Sequence, residues 1–401
     1  MNIFKKCYCR TYQLVFKSLL PVLPYREPKL LNSFSEVAGV LTEHKISRVL
    51  LVTDKGIYGL GLTKNLEEEL ANAGIAVAIY SDTVANPTTA NVADALDMYK
   101  QHKCEAIIAF GGGSPIDCAK GVGVRLARPN KTLGQMKGVL KVRKKLPLLI
   151  AIPTTAGTGS ETTLAAVITD AETHHKYAIN DFPLIPKYAA LLPELTTGLP
   201  KGVTSTTGMD ALTHAVEAYI GRSTTRDTRK NALEATKLVF ENLLEAYENG
   251  GNMEARKNML HAAYLAGLAF TKSYVGYVHA IAHSLGGKYN VAHGLANAII
   301  LPHVLKAYGK AVHKKLWQIG VYVGMFDKKM PKSVGAGLFI EKIEDMNAHM
   351  GIGTAITQIE TADIPTLAKT AEKEANPLYP VPVLFTAKEL EKLYVKIKGE
   401  N

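Results

Sequence analysis

AIIAFGGGSPIDCAK, residues 106–120, decides the fold. An apolar, β-favouring run meets three successive glycines, Gly111, Gly112 and Gly113, and then a helical pattern. The order is strand, tight turn, helix. Ser114 reads as the N-cap of that helix and Pro115 as its first helical residue. Glycines let backbone N–H groups approach a phosphate, and a helix N-terminus adds partial positive charge. The pattern is neither the Walker loop nor G-x-G-x-x-G. A plain strand-to-helix turn therefore stays open beside the phosphate-loop reading.

Working outward, RVLLVT (48–53), IAVAIY (75–80), EAIIAF (105–110) and LPLLIAI (146–152) read as strands, with room for a helix between each pair. Such βαβ alternation predicts a parallel sheet covered on both faces, with ligands at the carboxyl ends of its strands. A second small-residue loop, AIPTTAGTGSE, follows the fourth strand and offers the hydroxyls of Thr154, Thr155, Thr158 and Ser160. Two such loops at strand ends point to a large polyanion such as a dinucleotide. Asp54, closing RVLLVTD, suits a ribose 2′-hydroxyl and would repel a 2′-phosphate, which favours NAD over NADP; a turn-forming role is the alternative.

Past about residue 198 the periodicity becomes helical, with segments expected at 203–220, 227–247, 254–270, 279–287 and 295–308. The boundary is placed in PELTTGLPKGV (193–203). The expected organisation is an N-terminal extension (1–25), an α/β dinucleotide-binding domain with a parallel sheet (26–198) and an all-helical metal-binding domain (199–401). A cleft between two such domains is a common place for a two-substrate site.

The helical half carries GMDALTHAVEAY and YVHAIAHSLGGKYNVAHGLANA. Asp210 and His214 stand four apart, as do His279 and His283, so each pair shares a helix face. His293 follows. With 12 histidines in 401 residues, three within fifteen positions stand out. One carboxylate with several neutral imidazoles suits a divalent first-row metal, and an open coordination position would make it catalytic. Glu217 lies on the face of Asp210 and His214 and is expected to support the ligands from behind. Glu161 reads either as a helix cap or as a contact to the cofactor. His44, His102, His174, His175, His261 and His313 read as ordinary surface or core histidines, and His303 is left between structure and the outer site.

Composition is that of a globular protein, 47% hydrophobic and 21% charged, with a formal net charge of +11. The basic residues are dispersed, without aromatic interleaving or a nucleic-acid motif, so no nucleic-acid partner is expected. No apolar run approaches the roughly 20 residues of a membrane span, so no stable membrane insertion is expected. Cys7, Cys9, Cys104 and Cys118 form no zinc-ribbon pattern and read as free thiols of a cytoplasmic protein. The start, MNIFKKCYCRTYQLVFKSLLPVLPYREP, reads as an amphipathic extension rather than a targeting signal.

VTDKG, NPTTANV, GGGSPIDCAK, PTTAGTGSE, GMDALTHAVEAY and the run ending in HGLANAIILPHV together resemble the iron-containing (group III) alcohol dehydrogenases, lactaldehyde/1,2-propanediol oxidoreductase-like members above all. The resemblance implies a dehydroquinate synthase-like fold, in which an α/β nucleotide domain precedes an all-helical metal domain. It implies Fe²⁺ as the ion, with Zn²⁺ as the alternative, held by Asp210, His214, His279 and His293. His283 matches a histidine near the nicotinamide that does not bind the ion, and is given the catalytic, proton-relaying role. Asp54, Asn86, Gly112, Gly113, Ser114, Thr154, Thr155, Thr158 and Lys176 match positions that contact NAD.

The expected reaction is hydride transfer between NAD(H) and a short primary alcohol or 1,2-diol and its aldehyde, the metal polarising the substrate oxygen. A homodimer is the family expectation. The rival readings are a zinc-dependent glycerol or polyol dehydrogenase of the same fold and a non-catalytic NAD- and metal-binding protein. The sequence departs from the family pattern at Val278-His279, at Ala292-His293, in the first 25 residues and in ANPLYPVP (375–382), a segment that bears on the substrate pocket.

Overall fold

The structure, a computed structural model, describes residues 1–173 and 175–399; His174 lies outside the described residues. The chain forms two compact units, one of Pro24–Gly198 and the other of Met1–Leu23 with Leu199–Asn401. Helix α1 (Ile3–Leu19) therefore belongs with the C-terminal unit and is described there.

The first unit runs β1 (Lys29–Leu31), α2 (Phe34–Glu43), β2 (Arg48–Val52), α3 (Lys55–Gly59), α4 (Lys64–Asn72), β3 (Ala76–Tyr80), α5 (Thr89–Gln101), β4 (Ala106–Gly111) and α6 (Gly113–Ala127). It continues with β5 (Gly138–Val139), β6 (Leu148–Pro153), β7 (Ala165–Thr169), β8 (Lys176–Asn180) and β9 (Tyr188–Ala190). Among the described residues, six strands in the order β1-β9-β6-β4-β2-β3 form one sheet, every pairing parallel. A smaller sheet, β5-β8-β7, carries Lys176.

The strands read as near-continuous apolar runs because both faces are covered. Leu50, Val52, Ile107, Ala109, Leu149 and Ala151 pack on one side with Val92 and Ile116. Their neighbours Val49, Leu51, Ile108, Phe110, Ile150 and Ile152 pack on the other with Val37, Leu41, Leu66 and Leu70. Successive side chains of a strand point to opposite faces, so burying both demands apolar residues at every position. From β2 the chain leaves toward β3, then returns through α5 to β4 on the far side of β2. The crevice beyond the β2 and β4 carboxyl ends, where a doubly wound sheet binds its ligand, opens at that reversal.

The second unit holds α7 (Lys201–Ile220), α8 (Arg226–Glu248), α9 (Met253–Ser273), α10 (Tyr277–Tyr289), α11 (His293–Tyr308), α12 (Lys310–Tyr322), α13 (Lys332–His349), α14 (Ile364–Ala375) and α15 (Ala387–Lys398). The last turns of α7 are anchored from α12: Lys315 Nζ donates to the carbonyls of Tyr219, Ile220 and Gly221 at 3.1, 2.9 and 2.6 Å. Nearly every residue of α7 from Gly208 onward is buried, so its polar side chains there face protein, not water.

The extension forms a helix, α1, whose apolar side chains are largely left exposed. The inner face of α1 carries Cys9 and Gln13, while Phe4, Tyr8, Leu14, Val15 and Leu19 are exposed.

Candidate metal centre

Three helices bring the four expected ligands together. Asp210 and His214 lie on α7, His279 on α10, and His293 opens α11. One ligand atom from each lies within 4.8 Å of every other. Asp210 Oδ1 stands 3.9 Å from His214 Nδ1, 3.8 Å from His279 Nε2 and 3.5 Å from His293 Nε2. Donor atoms about 2.1 Å from a tetrahedral cation stand roughly 3.4 Å apart, so the cluster is close to the dimensions of a bound ion.

Close backbone approach makes this convergence. A Cβ on Gly294 would overlap the carbonyl of Thr206, so only glycine lets the first turn of α11 lie against α7. The His214 ring is stacked between Phe270, at 4.1 Å between centroids, and His279, at 4.5 Å. His279 is fixed from behind: its Nδ1 lies 2.6 Å from Glu217 Oε2, whose carboxylate also accepts the Gly276 and Val278 N–H groups at 2.8 and 2.9 Å. With Nδ1–H donating to Glu217, the His279 lone pair sits on Nε2, facing Asp210. Burial, then the neighbouring His214, His293 and His283, hold His279 well below its ordinary value, in the neutral form a metal requires. Burial pushes Glu217 up to about 7, while three N–H donors hold its anionic form in place.

Asn297, one turn after His293, is a member of the cluster that the sequence reading missed. Its Nδ2 donates to Asp210 Oδ1 at 2.7 Å and lies 3.2 Å from His279 Nε2 and 3.1 Å from His293 Nε2. Its buried Oδ1 has no hydrogen-bond partner among the described residues. A carboxylate and imidazole lone pairs turned inward, with one amide as the common donor, form a set suited to a cation. The signal was the spacing: Asn297 is four residues from His293 on the same helix face.

His283 stands apart from the four. Its ring stacks on His293 at 5.3 Å, and its Nδ1 lies 2.7 Å from Glu374 Oε1. Tyr379 Oη donates to that same carboxylate oxygen at 2.8 Å. Burial alone would raise Glu374, but His283 and the hydrogen bonds from His283 and Tyr379 hold it below its usual range. His303 Nε2 instead meets the carbonyl of Thr354 at 3.0 Å, a structural role.

In the α/β unit, the loops after β2, β4 and β6 lie at the carboxyl ends of neighbouring strands. Gly111 has φ +150°, and a Cβ there would come within 2.6 Å of Pro115. The N-cap of α6 is Gly112, not Ser114, and Gly113 rather than Pro115 opens the helix. The glycines themselves can enter the first turn, so the helix begins two residues earlier than the Ser-Pro signal suggests. Cβ atoms on Gly112 and Gly113 would lie 3.4 Å from Thr155 Oγ1 and 3.2 Å from Thr158 Cγ2, so the two small-residue loops face one another. Thr154 N donates to the Gly111 carbonyl at 3.1 Å. Asn86 ties in twice, its N donating to Ser114 Oγ at 3.3 Å and its Oδ1 accepting from Lys176 Nζ at 2.6 Å. Asp54 caps α3 through Ile57 N at 2.9 Å.

Two residues of the opening motif that the sequence reading left without a role hold the second loop. Lys120, fully buried, donates to the carbonyls of Ser160, Thr163 and Ala165 at 2.7, 3.0 and 2.8 Å. Asp117 accepts from Ser160 Oγ at 2.9 Å and Val167 N at 3.0 Å. Glu161 sits in a buried turn, Ser160–Thr162.

The family model described as iron-containing alcohol dehydrogenase matches residues 31–193, and its C-terminal counterpart, Fe-containing alcohol dehydrogenase family, matches residues 204–397. The chain is 37% identical to 1,3-propanediol dehydrogenase of Citrobacter freundii over 366 residues, 90% of this chain and 94% of the relative. It is 37% identical to the NAD-dependent methanol dehydrogenase of Bacillus methanolicus over 342 residues, 85% of this chain and 90% of the relative. A solved 1,3-propanediol oxidoreductase superposes with a TM-score of 0.89 at 34% identity, covering 93% of this chain and 98% of that one. By sequence and by fold, the chain belongs to the iron-containing alcohol dehydrogenase family.

Proposed function

We propose that this chain transfers a hydride between NAD(H) and a short primary alcohol or diol and its aldehyde, with Asp210, His214, His279 and His293 holding the catalytic ion. The convergence of those four ligand atoms within 4.8 Å carries the reading. The likeness to a propanediol dehydrogenase and an NAD-dependent methanol dehydrogenase supports the substrate class and the cofactor. Iron is the ion the family name gives; nitrogen and oxygen donors bind zinc more tightly than ferrous iron, so metal supply decides which is loaded. When bound, the cation supplies Lewis acidity at the substrate oxygen.

The remaining tasks belong to side chains. Glu217 fixes the tautomer and plane of His279. Glu374 accepts a hydrogen bond from the Nδ1–H of His283, which leaves Nε2 as the atom that exchanges the substrate hydroxyl proton. Gly112, Gly113, Ser114, Thr154, Thr155, Thr158, Asn86 and Lys176 hold the dinucleotide, and Asp54 takes the ribose hydroxyls. Free cysteines suit a reducing cytoplasm, and a homodimer completes the proposal.

The test is anaerobic. Enzyme loaded with Fe²⁺ or Zn²⁺ is assayed for NADH oxidation with short aldehydes, lactaldehyde included, with bound metal quantified. Turnover that follows metal content, and is lost in His279→Ala while NAD binding persists, supports the reading. A metal-stripped His279→Ala enzyme working at the native rate refutes it.

A further inference from the structure

Helix α1 lies outside both segments that match the family, which begin at residues 31 and 204. The two polar side chains on its inner side, Arg10 and Gln13, reach one short stretch, residues 376–382, just after α14. That stretch reads NPLYPVP, and its three prolines have no N–H. With no regular secondary structure there, its carbonyls need donors from elsewhere.

α1 supplies them. Gln13, 4% exposed, donates its Nε2 to the Tyr379 carbonyl at 2.7 Å and to that of Pro377 at 3.3 Å. Arg10 donates to the carbonyls of Val381 at 2.7 Å and Pro382 at 2.9 Å. Arg10 also donates to Gln13 Oε1 at 2.7 Å, which fixes the amide so that Nε2 faces the carbonyls. Phe16 meets Tyr274 edge-on at 5.1 Å, and Tyr274 lies against the Tyr379 ring at 6.3 Å. The far end of Tyr379 is the hydroxyl on Glu374, which holds His283 Nδ1.

We propose that α1 is a positioning element for His283, acting through Gln13 and Arg10 on the 376–382 segment and from there through Tyr379 and Glu374. A segment with displaced carbonyls carries the Tyr379 hydroxyl away from Glu374, and the carboxylate then no longer fixes one tautomer and one plane of the imidazole. The kinetic consequence rests on the proton-relay reading of His283; the structural one does not.

The experiment uses full-length enzyme loaded with zinc, which is diamagnetic. Native protein is compared with Gln13→Glu, which keeps shape but loses both donors, with Gln13→Ala, with Arg10→Lys and with Phe4→Ser on the exposed face of α1. Ring ¹⁵N shifts of His283 are assigned against His283→Ala. The native ring, and that of Phe4→Ser, should show one tautomer with the proton on Nδ1; the Gln13 variants should show averaged tautomers, and Arg10→Lys an intermediate state. The kcat of the Gln13 variants should fall about tenfold, part of the roughly 10²–10⁴ a positioned proton-transfer group contributes, with zinc content and KM for NAD unchanged. Native ring shifts in both Gln13 variants would overturn the proposal. If His283→Ala keeps native turnover, the relay reading fails, and the ring shifts still decide the role of α1.

Discussion

The Glu217 carboxylate lies 2.6 Å from His279 Nδ1, although 62 residues separate them. Glu217 shares a helix face with Asp210 and His214, so one helix supplies two expected ligands and the brace of a third. Gly276 makes room for that brace: a Cβ there would lie 2.6 Å from Glu217 Oε1.

Glu217→Gln keeps the shape but replaces an acceptor-only group by an amide facing three N–H donors. Metal affinity should fall about 10- to 100-fold, the usual loss when a partner behind a metal-binding histidine is removed. Equilibrium dialysis with Zn²⁺ measures it, and unchanged affinity would mean that Glu217 does not orient His279.

Gly294→Ala tests the close crossing of α7 and α11. The added methyl meets the Thr206 carbonyl on α7, so the first turn of α11 must shift and take His293 away from Asp210. The expected result is a lowered Tm together with sub-stoichiometric metal. Full metal occupancy at native Tm would show that the two helices have slack at this point.

Asp54 has two jobs in this reading, capping α3 and refusing a 2′-phosphate. Asp54→Ser preserves a capping oxygen and removes the charge, whereas Asp54→Gly removes both. Two unit charges about 4 Å apart near a surface repel by roughly 1–4 kcal/mol. Both variants should therefore raise the NADP-to-NAD ratio of kcat/KM by about tenfold or more. An unchanged ratio would leave Asp54 as a cap alone.

Lys120→Met removes the donor to three buried carbonyls. Each unsatisfied buried group costs about 1–3 kcal/mol, so a large drop in Tm is expected. NAD affinity should fall with the loop that Lys120 holds, while zinc affinity stays native. Titration calorimetry with each ligand separates the two, and equal losses in both would contradict the local role.

Glu161 supplies a pH test. Burial pushes its carboxyl up to about 7 from an ordinary 4.5. Between those values the folded protein keeps a proton that the unfolded chain has lost, so stability falls as pH rises through that window. Glu161→Gln, neutral throughout, should match the native Tm at pH 5 and exceed it at pH 8 by several degrees, an advantage of roughly 2–3 kcal/mol. A difference independent of pH would show that Glu161 is ionised in the folded state at pH 5.

The sequence by itself determined what repeats at short range. Continuous apolar runs at βαβ spacing specified a parallel sheet buried on both faces, and all four strands read from them are present within two residues at either end. Pairs four residues apart placed Asp210 with His214 and His279 with His283 on single helix faces, because helical geometry alone puts them there. Helix starts were less legible where glycine was involved: α6 begins inside the glycine run because Gly113 can itself be helical.

Tertiary structure decided which faces meet. Asn297 reaches Asp210 across 87 residues, Glu374 reaches His283 across 91, and Gln13 reaches Tyr379 across 366. No local periodicity records such contacts; they depend on how closely α7, α10 and α11 cross and on where proline-rich 376–382 finds its donors. The ligands could be read because their chemistry is rare and closely spaced. Glu217 could be read as well, from the helix face it shares with Asp210 and His214. Asn297, Glu374 and Gln13 could not, because such residues acquire their roles only from what packing sets beside them.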